Sequence, residues 1–174
     1  MDIEQRLLQG NAEFCEKIGK NPAKATYFSY LSKGQKPFAL VVCCSDSRVV
    51  PEEIFSVNPG EIFVIRTAGN VINEGELASI EYGIVHLHIS YVLVLGHTLC
   101  GAIHASMHNE TGKYLSPILD NIRSHVVGIT DETEAARVNA KAQAEYLRTK
   151  FDQFNGVITY GIYDICSNKV TISK

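Results

Sequence analysis

The sequence predicts an α/β fold with a mainly parallel central sheet and helices packed on both of its faces. Two observations carry this. Short apolar, β-branched runs recur at residues 38–43, 62–65, 91–95 and 157–160, the texture of strands buried on both sides. Helix-forming patterns lie between them, after Pro51, at 76–87, at 117–127 and at 132–151. Strands that alternate with helices in this way form a parallel sheet, because each return to the same edge direction needs a crossover long enough to hold a helix. At 174 residues the chain falls in the range of one compact domain, taken here as 1–174.

Taken in order, the elements begin with residues 2–20. Ile3, Leu7, Leu8, Phe14 and Ile18 recur at helical spacing behind a capping Asp2, so this segment reads as an amphipathic helix whose apolar face needs a partner. A polar stretch with Gly34 and Pro37 leads to the first strand. Ser116-Pro117 reads as an N-cap followed by a first-turn proline, and Gly156 lies where the last long helix has ended. Residues 169–172 add an edge strand.

Composition narrows the function. Hydrophobic residues make up 45%, charged residues 20%, and mean hydropathy is +0.00, values ordinary for a soluble globular protein. A formal charge of −3, with both signs mixed along the chain, lacks the basic footprint that nucleic acid requires. The longest apolar run, around 89–96, is too short to span a bilayer, and the N-terminal stretch has no basic and apolar leader. Five cysteines, two of them close to a histidine, suit metal in a reducing, cytoplasmic compartment better than a disulfide framework.

Ligands of an open parallel sheet gather beyond the carboxyl ends of its strands. Cys44 follows the first strand, while His97 follows the third and precedes Cys100 by three residues. If those strands are neighbours, two thiolates and an imidazole converge, a donor set that suits tetrahedral zinc with a fourth position open. A His-x-x-Cys pair with a distant cysteine is equally compatible with metal-free core residues. Cys15, Cys43 and Cys166 read as inert, Cys43 pointing to the opposite side of its strand from Cys44. Asp46 and Arg48 place a carboxylate and a guanidinium beside the first candidate ligand; they suit a local salt bridge, a fourth zinc ligand, or an acceptor for a hydrogen bond from water.

Three blocks together resemble the beta-class carbonic anhydrases: Cys44-Ser-Asp-Ser-Arg48 after an apolar strand, the 59–70 run Pro-Gly-Glu-Ile-Phe-Val-Ile-Arg-Thr-Ala-Gly-Asn, and Gly96-His-Thr-Leu-Cys-Gly101. The resemblance implies reversible hydration of carbon dioxide to bicarbonate and a proton by zinc-bound hydroxide. It implies one Zn2+ per chain on Cys44, His97 and Cys100, with Asp46 and Arg48 as catalytic dyad. In the plant-like branch of that family, Gln35, Phe63, Tyr82 and Gly101 fall at substrate-binding positions, and the pocket forms between subunits. A homodimer or dimer-based oligomer is thereby implied, with helix 2–20 lying on its partner.

Some members carry a second, regulatory bicarbonate pocket with an arginine, a tryptophan and a tyrosine. Arg66 and Tyr163 match, but Val41 stands at the tryptophan position and the bulkier Cys43 precedes Cys44, so Asp46 is expected to stay on Arg48. Leu99 stands between two ligands where relatives often have a polar or small residue. His86, His88, His104, His108 and His125 qualify as proton shuttles by type alone. Two other readings compete: hydrolysis of carbon disulfide or carbonyl sulfide on the same fold, and a purely structural zinc site with Asp46 as fourth ligand. No Gly-x-Gly-x-x-Gly follows a strand, which disfavours a nucleotide site.

Overall fold

The structure, a computed structural model, describes residues 2–173. The chain groups into two compact units, the first ending at Gln35 and the second beginning at Lys36. The first holds α1 (Ile3–Gly19) and α2 (Pro22–Leu31). Asp2 caps α1 by accepting a hydrogen bond from the Gln5 amide at 2.8 Å. The second helix was not expected, although Asn21-Pro22 is a cap followed by a first-turn proline: the Asn21 side chain accepts from the Lys24 amide at 3.1 Å. Phe14 and Phe28 join the two helices edge-on, with centroids 5.6 Å apart. No side chain of α1 is buried; Ile3 is 80% exposed and Leu7 70%.

The second unit is a five-stranded sheet in the order β2-β1-β3-β4-β5. Strands β1 (Ala39–Cys44), β2 (Ile62–Thr67), β3 (Tyr91–His97) and β4 (Val157–Asp164) are parallel, and β5 (Lys169–Ser173) closes one edge antiparallel to β4. Between them run α3 (Pro51–Ile54), α4 (Glu74–Val85), α5 (Gly101–Met107), α6 (Ser116–His125) and α7 (Glu132–Lys150). Strand order reverses direction between β1 and β3, which makes their carboxyl ends the switch point where such sheets bind ligands.

Alternation along β1 sorts its side chains between two cores. Leu40, Val42 and Cys44 join one cluster with Val92, Val94, Ile103, Ile122 and the alanines of α7. Ala39, Val41 and Cys43 join the other with Leu93, Leu95 and Val49. Helices α4 to α7 cover the first face, whereas α3 and the loop after it cover part of the second. An apolar groove of ≈ 530 Å³ stays open on that second face, lined by Phe38, Val41, Phe55, Val57, Tyr91 and Leu93 among others.

Helix α6 starts at Ser116, so this serine is not its N-cap; its hydroxyl instead accepts from the Gly112 amide at 3.1 Å and folds the preceding loop onto the helix. At α4, Asn73 and Glu76 form a reciprocal capping box that starts the helix at Glu74. Helix α7 lies so close to β3 that a side-chain carbon at Gly96 would meet Ile162 Cδ1 at 2.9 Å, the Ala136 carbonyl at 3.1 Å and Ala140 Cβ at 3.2 Å. Small residues at 135, 136, 140 and 144, all buried, permit that approach.

Candidate metal centre

Cys44 ends β1 and His97 ends β3, strands paired through Cys43 and Leu95, so the two residues stand at neighbouring strand ends with His97 one position further along. Cys100 comes to the same point through a two-residue turn in which Leu99 adopts a left-handed backbone (φ 56°), a conformation that costs a side-chain-bearing residue of order 1–3 kcal/mol. One ligating atom from each of Cys44, His97 and Cys100 lies within 4.8 Å of the others, and all three residues are buried.

Three features fit this triad to zinc. The sulfurs are 3.9 Å apart, far beyond a disulfide and close to the roughly 3.8 Å that separates two thiolates held tetrahedrally about 2.3 Å from the ion. His97 Nδ1 lies 2.9 Å from the Thr98 carbonyl, which accepts only, so this nitrogen carries the proton and Nε2 carries the lone pair. That Nε2 is buried without a hydrogen-bond partner, an arrangement that costs stability unless a ligand completes it.

The thiol of Cys44 is pushed down to about 4, first by the hydrogen bond with Cys100, then by His97 and by the Asp46 and Gly69 amides, against the opposing effect of burial. Cys100 moves upward, because a sulfur beside a thiolate in a buried place holds its proton. Two backbone amides cradle the Cys44 sulfur, Gly69 at 3.3 Å and Asp46 at 3.4 Å. Gly69 aims its N–H there from a left-handed backbone (φ 61°). Two buried side chains of α7 steady that loop: Asn139 donates to the Gly69 carbonyl at 2.9 Å, and Gln143 accepts from the Ile72 amide at 3.0 Å.

Asp46 and Arg48 form a two-pronged pair, Nε to Oδ1 at 2.9 Å and Nη2 to Oδ2 at 2.7 Å, and the Arg48 amide adds a third bond to Oδ1 at 2.9 Å. This pairing holds the Asp46 carboxyl well below the usual carboxylate range. The same Nη2 donates to the Leu99 carbonyl at 3.0 Å, tying the dyad to the turn between His97 and Cys100.

Arg66 binds the Cys44 and Asp46 carbonyls, at 3.3 Å and 2.6 Å, and so braces the loop that carries the dyad. Tyr163 donates to the Asn168 side chain at 3.0 Å, beside a cleft of ≈ 320 Å³ that Arg48 also lines. Phe63 on β2 and Tyr82 on α4 lie with centroids 6.1 Å apart, and Tyr82 stacks on His86. Gly101 opens α5, with free space where a side chain would stand. Gln35 ends the first unit, exposed and outside any helix or strand.

Sequence reasoning missed Gly69, Asn139 and Gln143, and it offered no role for Arg66 as a brace of this loop. A glycine in Ala-Gly-Asn directly after a strand was the available signal for the first; the two α7 residues read only as polar interruptions of a helix.

The family model described as "Carbonic anhydrase" matches residues 39–171. Carbonic anhydrase 2 of Mycobacterium tuberculosis is 41% identical over 102 residues, 58% of this chain and 49% of the relative. The chain thus spans about half the length of the curated relatives it matches. Among solved structures, the beta-carbonic anhydrase CafA of Aspergillus fumigatus superposes with a TM-score of 0.83 at 27% identity, covering 99% of this chain and 91% of that one. One of two tetrameric beta-carbonic anhydrases from Sordaria macrospora gives 0.78 at 25% identity, covering 97% and 95%.

Proposed function

The chain belongs to the carbonic anhydrase family, in its beta class, and from that premise we propose that it hydrates carbon dioxide reversibly to bicarbonate and a proton at a zinc ion held by Cys44, His97 and Cys100. The observation that carries this reading is the buried, unpartnered His97 Nε2 facing two sulfurs at zinc spacing. When bound, zinc lowers the pKa of water from about 15.7 toward about 7, supplying a nucleophile near neutral pH.

Asp46 acts as gatekeeper and aligner. Oδ1 already accepts two hydrogen bonds, whereas Oδ2 accepts one from Arg48 and keeps a lone pair. An ionised carboxylate only accepts, so Oδ2 admits a solvent-derived group that can donate an O–H and turns its nucleophilic lone pair away from the carboxylate. Arg48, anchored on the Leu99 carbonyl, keeps Asp46 from swinging onto the ligands. Phe63 and Tyr82 offer an apolar surface to a small uncharged substrate, consistent with the plant-like branch.

A second copy of the chain is part of this proposal. The apolar groove along β1 and β3 and the exposed Ile3, Leu7, Leu8 and Phe14 of α1 are surfaces that association would bury. No helix among the described residues is long and apolar enough to cross a membrane.

Zinc content and stopped-flow carbon dioxide hydration, measured on wild type and Asp46→Asn, test the proposal. Both proteins should carry about one zinc per chain, and the variant should lose at least about 100-fold in turnover. Wild-type rates in the variant, or wild-type protein without zinc, would refute it.

A further inference from the structure

A second cluster of metal-ligating side chains lies outside the buried centre. His104 and His108 stand one turn apart at the end of α5, and Glu132 opens α7. One ligating atom of each lies within 4.8 Å of the other two. We propose that His104, His108 and Glu132 form a surface site for a divalent transition-metal ion, independent of the proposed catalytic centre.

The hydrogen bonds prepare the rings for this. His108 Nδ1 lies 2.8 Å from the His104 carbonyl, an obligate acceptor, so Nδ1 bears the proton and Nε2 is left with its lone pair. His104 Nδ1 lies 2.7 Å from Glu132 Oε1, which ties the first ring to the carboxylate. The two imidazoles face one another with centroids 4.0 Å apart and planes 27° from parallel. Two nitrogens and a carboxylate oxygen are thus already gathered within 4.8 Å of one another on exposed or half-buried side chains.

The setting favours a cation. Both histidines sit at the carbonyl end of a helix, where partial negative charge accumulates, and Glu132 adds a full one. Two imidazoles with one carboxylate select Ni2+, Cu2+ or Zn2+ over Mg2+ and Ca2+, which prefer oxygen donors alone. His104 and His108 are exposed, so water can complete the coordination sphere. An ion held there ties the last turn of α5 to the first turn of α7, and α5 begins at the residue after Cys100.

The test is calorimetric titration of Ni2+ into protein holding one equivalent of zinc per chain, checked by metal analysis, with Mg2+ as comparison, on wild type, His104→Ala, His108→Ala, the double variant and Glu132→Gln. Wild type should bind one equivalent of Ni2+ beyond its zinc. Each single variant should weaken that binding at least about 10-fold, the double variant should abolish it, and all should keep the same circular dichroism and zinc content. The side chains are on the surface, so their truncation leaves the core packing intact. No added equivalent in wild type, unchanged Ni2+ binding in the double variant, or Mg2+ bound as tightly as Ni2+ would each overturn the proposal.

Discussion

Replacing Gly69 by alanine isolates what the loop behind Cys44 contributes. Two costs add. A left-handed backbone at φ 61° disfavours any L side chain by about 1–2 kcal/mol. The new carbon would stand 2.8 Å from Ile122 Cδ1 and 3.2 Å from Ala102 Cβ, and overpacking a buried isoleucine costs about 1–3 kcal/mol. Together they predict about 3 kcal/mol of destabilisation, or a melting temperature lower by about 6–12 °C for a chain of this size. Because the Gly69 amide donates to the Cys44 sulfur, displacement of the loop should also raise the rate of zinc loss to a chelator by about 10–100-fold. Chemical denaturation and a chelator competition measure the two effects. Adding Ile122→Val, which removes Cδ1, should relieve the tighter of the two contacts and leave the Ala102 contact and the backbone part. A Gly69→Ala protein within about 0.5 kcal/mol of wild type, with unchanged zinc retention, would refute the reasoning.

Further outcomes follow from the same geometry. Cys44→Ser should purify with little or no zinc, as measured by metal analysis, because an alkoxide is not formed where a thiolate is. In the zinc-loaded protein only Cys15 and Cys166 should alkylate at neutral pH; Cys43, whose thiol burial pushes up to about 12, should label only after unfolding, as peptide mapping would show. Arg48 depresses the Asp46 carboxyl, so the stability this pair contributes is present in full above the unfolded-state range near pH 4 and is lost as pH falls through the lower folded-state value. The stability difference between wild type and Asp46→Asn should therefore stay flat from about pH 5 to about pH 9 and close only in stronger acid, as denaturant titrations at several pH values would register.

Much of this arrangement is legible in the residues. Four apolar runs announce the parallel strands, and the positions of Cys44 and His97 at two strand ends announce where ligands gather. The opposed facing of Cys43 and Cys44 follows from the period of a strand and appears as membership of two separate cores. What stays hidden is set by tertiary approach. Arg66 has the charge to bind an anion, yet its partners are two carbonyls brought beneath it by the pairing of β2 with β1. Asn139 and Gln143 look like solvent-facing interruptions until α7 is laid on the sheet. The His104–His108 spacing is visible in one turn of helix, but Glu132 joins them from 28 positions further along the chain.

The tight seat of α7 against β3 makes that helix a gauge for the imidazole. Gly96 is the residue before His97, and a side-chain carbon there would press on Ile162 and on α7 at Ala136 and Ala140. The strand that carries the ring is therefore backed by an element that supplies no ligand. A change on the far side of α7 that tilts it by a fraction of an ångström would re-aim His97 without touching it, so loss of metal can be inherited from positions that no inspection of the three ligands would indict.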